Sequence, residues 1–258
     1  MSTILFPSPV FGPVRSRRLG LSLGINLLPA DGKICSFDCI YCECGRNADH
    51  RAHERMPSRE LVRSALEEKL RAMKAEGDLP DVITFAGNGE PTGHPAFRQI
   101  MFDVEALRDR YAPGCGITVL TNAFHMNRPE VVEALGRADL VLMKLDTVNE
   151  DFIRAVDRPN AKYDVGEIVR RIAAFDGHRA VQTMFLTGTF EGRSVDNTSD
   201  AFVDPWLEAL KKIRPELVTI YTIDRETPEK GLKKAAPDVL DAIADRVRAL
   251  GFTCTVSY

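Results

Sequence analysis

Seven short runs of mostly apolar or β-branched residues punctuate the chain, at 21–27, 81–86, 117–122, 140–146, 180–186, 217–223 and 253–257. Several are apolar almost throughout, the pattern of parallel strands covered on both faces. From about residue 79 onward, the stretches between them return apolar residues every three or four positions, so strand and helix alternate. The clearest helix sets Leu240, Ile243, Val247 and Leu250 on one face, with Pro237 at its start and Gly251 just past its end. Another covers residues 58–75, where Leu61, Ala65, Leu66, Leu70 and Met73 are apolar and Ser58 is placed to cap the first turn. This alternation predicts an α/β protein built on a parallel sheet. Six or seven such units fall short of the eight that close a full barrel of ~250 residues, so a partial barrel fits best, with a doubly wound sheet as the alternative. Either architecture gathers its ligands at the carboxyl ends of the strands. Three irregular stretches, 44–57, 189–204 and 225–237, follow the cysteine-rich segment or a predicted strand end and so border that region.

Composition narrows this picture a little. The 258 residues, 44% apolar and 28% charged with a net charge of -3, suit one ordinary globular domain over 1–258, in which 1–34 form a leading segment and first strand. Net charge alone points to no partner. There is no basic stretch followed by a long apolar run at the amino end, and no run of ~18 apolar residues, so the expectation is a cytoplasmic protein without a membrane span. Six cysteines are too few for a disulfide scaffold, and four of them crowd into residues 35–44, as metal ligation in a reducing compartment would require. Cys115 and Cys254 stand apart, beside and within apolar runs, and are expected to be small buried hydrophobes.

Cys35, Cys39 and Cys42 are spaced C-x3-C-x2-C in a loop after the first predicted strand. A [4Fe-4S] cluster normally takes four thiolates, so three from one tight loop leave one iron open to another ligand. Cys44 offers two other readings, a structural zinc site of four sulfurs or a closed electron-transfer cluster. Structural zinc more often uses separated C-x2-C pairs, and one intervening residue makes Cys44 an awkward fourth cluster ligand. A second motif, Gly87, Asn88, Gly89, Glu90, Pro91 and Thr92, follows the run 81–86. Its glycines let the backbone pass close to a ligand, and Glu90 supplies a carboxylate for an ammonium group at a strand end. Read alone, it is more readily an ordinary βα turn with a solvated glutamate.

Together these motifs resemble the radical S-adenosylmethionine (SAM) superfamily, in which a C-x3-C-x2-C loop precedes a "GGE" element. The resemblance extends over Phe11 to Gly20, Cys35 to Cys42, Phe85 to Pro95 and Tyr221 to Arg225, and is similar to the iron-sulfur oxidoreductase branch related to the wyosine-base synthases of tRNA. It implies a partial (β/α)6 barrel of parallel strands with outer helices, a [4Fe-4S] cluster on Cys35, Cys39 and Cys42, and SAM across the strand ends. Reductive cleavage of SAM would give a 5'-deoxyadenosyl radical that abstracts hydrogen from a substrate. By position the resemblance assigns Tyr41 to adenine, Asn88, Gly89 and Glu90 to the methionine end, and Asn122 and Asp146 to the ribose or methionine region. Gln182 and Met184 fall on the floor of the site. A reducing partner such as flavodoxin or ferredoxin is implied as well. The wyosine synthases bind a second cluster through cysteines ahead of this triplet, whereas residues 1–34 contain none, so their reaction is not carried over.

Other residues bear on the substrate. Lys144 shares one strand face with Asp146 in an otherwise apolar run, which suggests either a catalytic lysine of lowered pKa or a structural ion pair. Arg15, Arg17 and Arg18 precede the first predicted strand, while Arg46, Arg51, Arg55 and Arg59, with His50 and His53, follow the cysteines. They suggest an anionic substrate, although interleaved acids and the lack of aromatics between Tyr41 and Phe85 weigh against RNA. His94 and His125 follow strand ends as further acid or base candidates. A small molecule, RNA or a peptide all remain open as substrate. The alternative functions are a glycyl-radical-enzyme activase, or a non-catalytic iron-sulfur carrier or zinc-stabilised binding module.

Overall fold

Each apolar run forms a strand in the computed structural model, which describes residues 4–16 and 20–258. The seven are β2 (Gly20–Ile25), β3 (Val82–Phe85), β4 (Gly116–Thr121), β5 (Leu140–Lys144), β6 (Arg179–Met184), β9 (Leu217–Tyr221) and β11 (Thr253–Ser257). Every neighbouring pair among them is parallel. One further strand, β1 (Val10–Ser16), lies antiparallel to β2 at the sheet edge, giving the order β1-β2-β3-β4-β5-β6-β9-β11. This is the open, partial barrel that the resemblance implies.

Alternation along the strands divides the molecule into two environments. Leu23, Ile25, Ile83, Phe85, Ile117, Val119, Val141, Met143, Val181, Val218 and Ile220 belong to the main core. That core is covered by α1 (Arg59–Glu76), α2 (Phe97–Tyr111), α3 (Pro129–Leu135), α5 (Val165–Ala174), α6 (Asp200–Ile213) and α7 (Pro237–Ala249), all of which bury an apolar stripe in it. The intervening positions Ser22, Thr84, Thr118, Gln182 and Thr219 are buried yet polar, and the Ser22 and Thr84 hydroxyls meet at 2.8 Å. Ser58 caps α1 as expected, its hydroxyl accepting from the Leu61 amide at 3.2 Å.

Two irregular stretches turn out to be partly regular. Segment 189–204 contains β8 (Arg193–Ser194) and the first turn of α6, and 225–237 contains β10 (Leu232–Lys234). These short strands flank β7 (Leu186–Phe190) in a separate three-stranded sheet, β10-β7-β8. Pro205 inside α6 disguises the helix, although Val203, Trp206, Leu207, Leu210 and Ile213 keep its period and are buried. Arg15 lies within β1 rather than ahead of the first strand, and Arg17 and Arg18 lie outside the described residues.

After β5 the chain makes a short helix, α4 (Glu150–Phe152), that widens into a π-turn over Ile153–Asp157. The Asn149 side chain caps its start by accepting from the Phe152 amide at 2.9 Å. The Arg158 amide closes its end on the Ile153 carbonyl at 2.8 Å, with Arg158 in the left-handed region at φ 51°. Such wide turns insert an extra residue and re-aim the side chains that follow, here Asp157 and Arg158. No helix among the described residues is long and apolar enough to cross a membrane.

Candidate active site

The cysteine loop leaves β2 at the carboxyl end of the sheet and is pinned on two sides. Toward β3, the Ile34 amide donates to the Asn88 carbonyl at 3.0 Å, and the Glu90 amide donates to the Ile34 carbonyl at 3.2 Å. Gly89 is required here, because a Cβ at its φ of 136° would stand 1.9 Å from the Ile34 carbonyl oxygen. Toward the π-turn, the Asp38 amide reaches the Asp157 and Arg158 carbonyls, and the Ile40 amide reaches the Val156 carbonyl at 2.9 Å. Cys39 and Cys44 are buried and Cys35 and Cys42 half-buried, all as free thiols. Lys33, 1% exposed at its side chain, donates to the Gly45 carbonyl at 2.8 Å from beneath the loop. Burial pushes the Cys35 thiol up to about 12 against the pull of the Lys33 charge. Cys42 falls to about 6 because Cys44 hydrogen-bonds to it, with Lys33 adding to the effect against burial.

The second motif folds against that loop. Glu90 is 3% exposed and accepts four hydrogen bonds. Its Oε1 takes the Thr92 amide at 3.1 Å, the Thr92 hydroxyl at 2.5 Å and the Thr121 hydroxyl at 2.7 Å, while Oε2 takes the Asn122 amide at 2.7 Å. Oε1 carries three of these bonds and Oε2 one, so Oε2 retains one of its two lone-pair sites for a further donor. Burial raises the pKa of Glu90 while these donors oppose the rise. The Asn122 side chain links the two motifs, donating to the Ser36 hydroxyl at 2.8 Å and to Cys35 Sγ at 3.7 Å. The Asn88 side chain faces the other way. It donates to the Phe6 and Pro29 carbonyls and accepts from the Phe6 amide, tying down the amino-terminal segment and leaving its backbone nearest the cysteine loop.

Across the strand ends, Lys144 and Asp146 do share a face, and two partners join them. Lys144 Nζ donates to Asp146 Oδ2, to the Tyr41 hydroxyl and, at 2.8 Å, to Asp157 Oδ1. The Tyr41 hydroxyl in turn donates to Asp146. The other Asp146 oxygen accepts from the Met184 amide at 2.9 Å. Burial alone would push the Lys144 pKa down, yet Asp146 and Asp157 hold it well above its ordinary value. The lowered pKa of a catalytic lysine is therefore replaced by a fully charged ammonium held by Asp146 and Asp157. Gln182 pairs with Lys144 in the β5-β6 register, and Met184 packs with Tyr41 and Cys39 in a second apolar cluster.

The comparisons follow this geometry. The family model described as "Radical SAM superfamily" matches residues 31–192, which hold the cysteine loop, the glycine-rich turn and the Lys144 group. The chain belongs to the radical SAM superfamily. It also belongs with the UPF0026 proteins, being 33% identical over 238 residues to UPF0026 protein MJ1312 of Methanocaldococcus jannaschii, with 90% of this chain and 69% of that one covered. A protein of Brachyspira hyodysenteriae named GTPase Obg is 30% identical over 224 residues, but the chain spans only 31% of its length. Among solved structures, SuiB of Streptococcus suis bound to S-adenosylmethionine superposes with a TM-score of 0.63 at 13% identity, covering 90% of this chain and 50% of that one. Archaeal TYW1 superposes with a TM-score of 0.53 at 12% identity, covering 88% and 71%. These distant likenesses concern the fold.

The donor chemistry of this radical SAM chain, three thiols on one loop, fits an iron-sulfur cluster. Cys35, Cys39 and Cys42 are close enough to influence one another's ionisation. Yet among the described residues no three cysteine, histidine or carboxylate side chains gather tightly enough to hold one metal ion. Lys33, Asp157 and Arg158 are site residues that sequence reasoning missed. Lys33 stands two positions before Cys35 in a polar turn, and the other two are positioned by a π-turn that leaves no sequence period. Among the described residues, the remaining basic side chains singled out in the sequence do not converge. Arg46 pairs with Glu229, Arg59 with Asp103 and Arg225 with Glu43, while Arg51 and Arg55 are exposed. His94 is fixed by the Pro57 carbonyl at 3.0 Å and the Ala96 amide at 3.1 Å, a structural use of both ring nitrogens.

Proposed function

We propose that this chain is a radical SAM enzyme in which Cys35, Cys39 and Cys42 hold a [4Fe-4S] cluster and SAM lies between that loop and the ends of β3 to β6. The observation that carries the reading is the side chain and backbone of Asn122, which touch Cys35 and Glu90 at once. Two motifs 55 residues apart, Cys35 and Glu90, are thereby built into one site. When bound, the cluster and SAM supply an electron transfer to the sulfonium and a 5'-deoxyadenosyl radical that removes a hydrogen atom from a substrate.

The chain's own groups orient these components. The open position on Glu90 Oε2 accepts the ammonium of the methionine moiety, and the Gly87 to Gly89 backbone supports that end. The Tyr41 ring stands against the adenine, its hydroxyl locked by Lys144 and Asp146 so that the ring cannot swing. Asn122 and Asp146 flank the ribose, with Gln182 and Met184 beneath. Lys144, charged and doubly paired, holds the two carboxylates and Tyr41 in place, and does so without forming a covalent bond to substrate. An external reductant of the flavodoxin or ferredoxin kind delivers the electron.

The test is reconstitution without oxygen, followed by iron and sulfide analysis and SAM binding. The reading expects about four irons and four sulfides per chain and saturable SAM binding. Stoichiometric zinc with no iron in protein purified without oxygen would defeat it.

A further inference from the structure

We infer that the cavity beside the π-turn is the substrate pocket and that it takes a small organic oxyanion, a carboxylate or phosphate on an aromatic or apolar body, with Arg158 as its anchor. This rests on the radical SAM reading for the word "substrate", but not for the binding itself.

The cavity measures about 710 Å³, within the range of roughly 300 to 1,000 Å³ typical of small-molecule sites. One wall is the segment from Asn149 to Arg158, the other the β7-β8 hairpin. That hairpin turns through Glu191 and Gly192, both at positive φ, so Phe190 and Arg193 stand directly opposite each other and share a face. Phe152, Phe190 and Val195 in these walls belong to the same apolar cluster as Cys39 and Tyr41, so the cavity adjoins the cysteine loop. The Arg158 carbonyl accepts the Asp38 amide, which fixes the distance between the two.

The charges in the cavity are unequal. Arg154 is neutralised by Glu150 and Asp151. Among the described residues, Arg158 and Arg193 have no carboxylate partner. Arg158 Nε is sealed from solvent and meets no acceptor. Arg158 itself lines the cavity, so an oxyanion entering there would pair with its guanidinium in the forked geometry it favours, and a small shift of the half-buried side chain would bring the costly orphan Nε into that pairing. The Arg158 guanidinium also faces the Phe190 ring at 5.9 Å, with Arg46 facing the same ring at 5.3 Å. This arrangement holds the ring as a fixed wall for a flat or apolar body. Among the described residues, two unpaired cations beside one unpaired acid, Glu191, in a half-open cleft leave a net positive charge that suits one anionic group, whereas a nucleic acid would want a wider basic stripe.

The test measures binding of phenyl phosphate, benzoate and inorganic phosphate to the reconstituted protein by calorimetry, with SAM binding measured on the same preparation. Phenyl phosphate or benzoate is expected to bind more tightly than inorganic phosphate. Arg158→Gln should weaken the organic anion at least tenfold, and Arg158→Lys should lose part of that because it keeps the charge but not the fork. Phe190→Leu should weaken phenyl phosphate while leaving inorganic phosphate alone. Iron content and thermal midpoint check that each variant is folded, and Arg158→Lys carries the test if Arg158→Gln does not fold. Unchanged affinity in the Arg158 variants, or inorganic phosphate binding as well as phenyl phosphate, overturns the proposal. A single-stranded RNA oligonucleotide bound far more tightly than phenyl phosphate, through Arg158, overturns the small-molecule assignment. Arg158-dependent anion binding without SAM binding would preserve the pocket and sink the radical reading, and SAM binding with no anion binding would do the reverse.

Discussion

Glu90 does two jobs at once, and its variants separate them. Its carboxylate satisfies Thr92, Thr121 and the Asn122 amide, and one lone pair remains for the SAM ammonium. Glu90→Ala therefore removes support from the strand ends as well as a ligand, while Glu90→Gln keeps the size and one acceptor oxygen. Since a charge-assisted hydrogen bond contributes about 1.5 to 3 kcal/mol, Glu90→Gln is expected to weaken SAM binding tenfold or more with the iron content retained. Equilibrium binding to reconstituted protein decides this, and unchanged affinity removes Glu90 from the SAM site. Among the thiols, Cys35→Ala, Cys39→Ala and Cys42→Ala are each expected to lose the iron, whereas Cys44→Ala retains it. Cys44 turns toward the Gly87 carbonyl at 3.6 Å. Iron retained in any of the first three variants would contradict the ligand assignment. The thiols and Glu90 could be read in the sequence because each sits in a short contiguous motif. Lys33, Asp157 and Arg158 could not, because each gains its role from a partner that only the tertiary fold brings near.

At the scale of elements, the cysteine loop depends on two neighbours, and each can be broken. Gly89→Ala would drive a Cβ into the Ile34 carbonyl, so it is expected to displace the loop and sharply reduce iron incorporation, as iron analysis after reconstitution would show. The π-turn contributes through Asp157, whose carboxyl burial lifts to about 7 against the attraction of Lys144, from an ordinary 3.8. Between about pH 4 and pH 7 the folded chain thus holds a proton that the unfolded chain releases. The corresponding stability is complete below about pH 4 and is lost as pH rises through about 7. Chemical unfolding should accordingly give lower stability near pH 8 than near pH 5, with Asp157→Asn flattening the difference. An undiminished slope in Asp157→Asn would assign it to another group. Removing the shared cation is a harsher change. Lys144→Met leaves Asp146 buried without a counter-charge, takes the cationic donor from Asp157, and is expected to cost about 3 to 5 kcal/mol. The seven parallel strands were legible because burial on both faces makes them apolar runs. β1 was not, since Gly12 and Pro13 interrupt it and its pattern is that of an edge. β8 and β10, two and three residues long, are too short to show any period.

For the whole molecule, the open parallel sheet explains why residues so far apart in sequence meet. Parallel strands bring all their carboxyl ends to one rim, so the loop after β2, the turn after β3, Asn122 after β4, and Lys144 with Asp146 at the end of β5 line a single site. The small β10-β7-β8 sheet and the π-turn add the pocket walls at that rim, and these are the parts the βα alternation did not announce. The amino-terminal segment is tied to the same rim through Asn88 and Phe6. On the proposed function, this rim performs radical chemistry on SAM. The direct measurement is the formation of 5'-deoxyadenosine when the anaerobically reconstituted, chemically reduced protein is incubated with SAM, with the Cys39→Ala protein as control. Slow release of 5'-deoxyadenosine and methionine is expected from the intact protein and none from the control. A fully iron-loaded, reduced protein that binds SAM and leaves it uncleaved, with or without a bound organic anion, would contradict it.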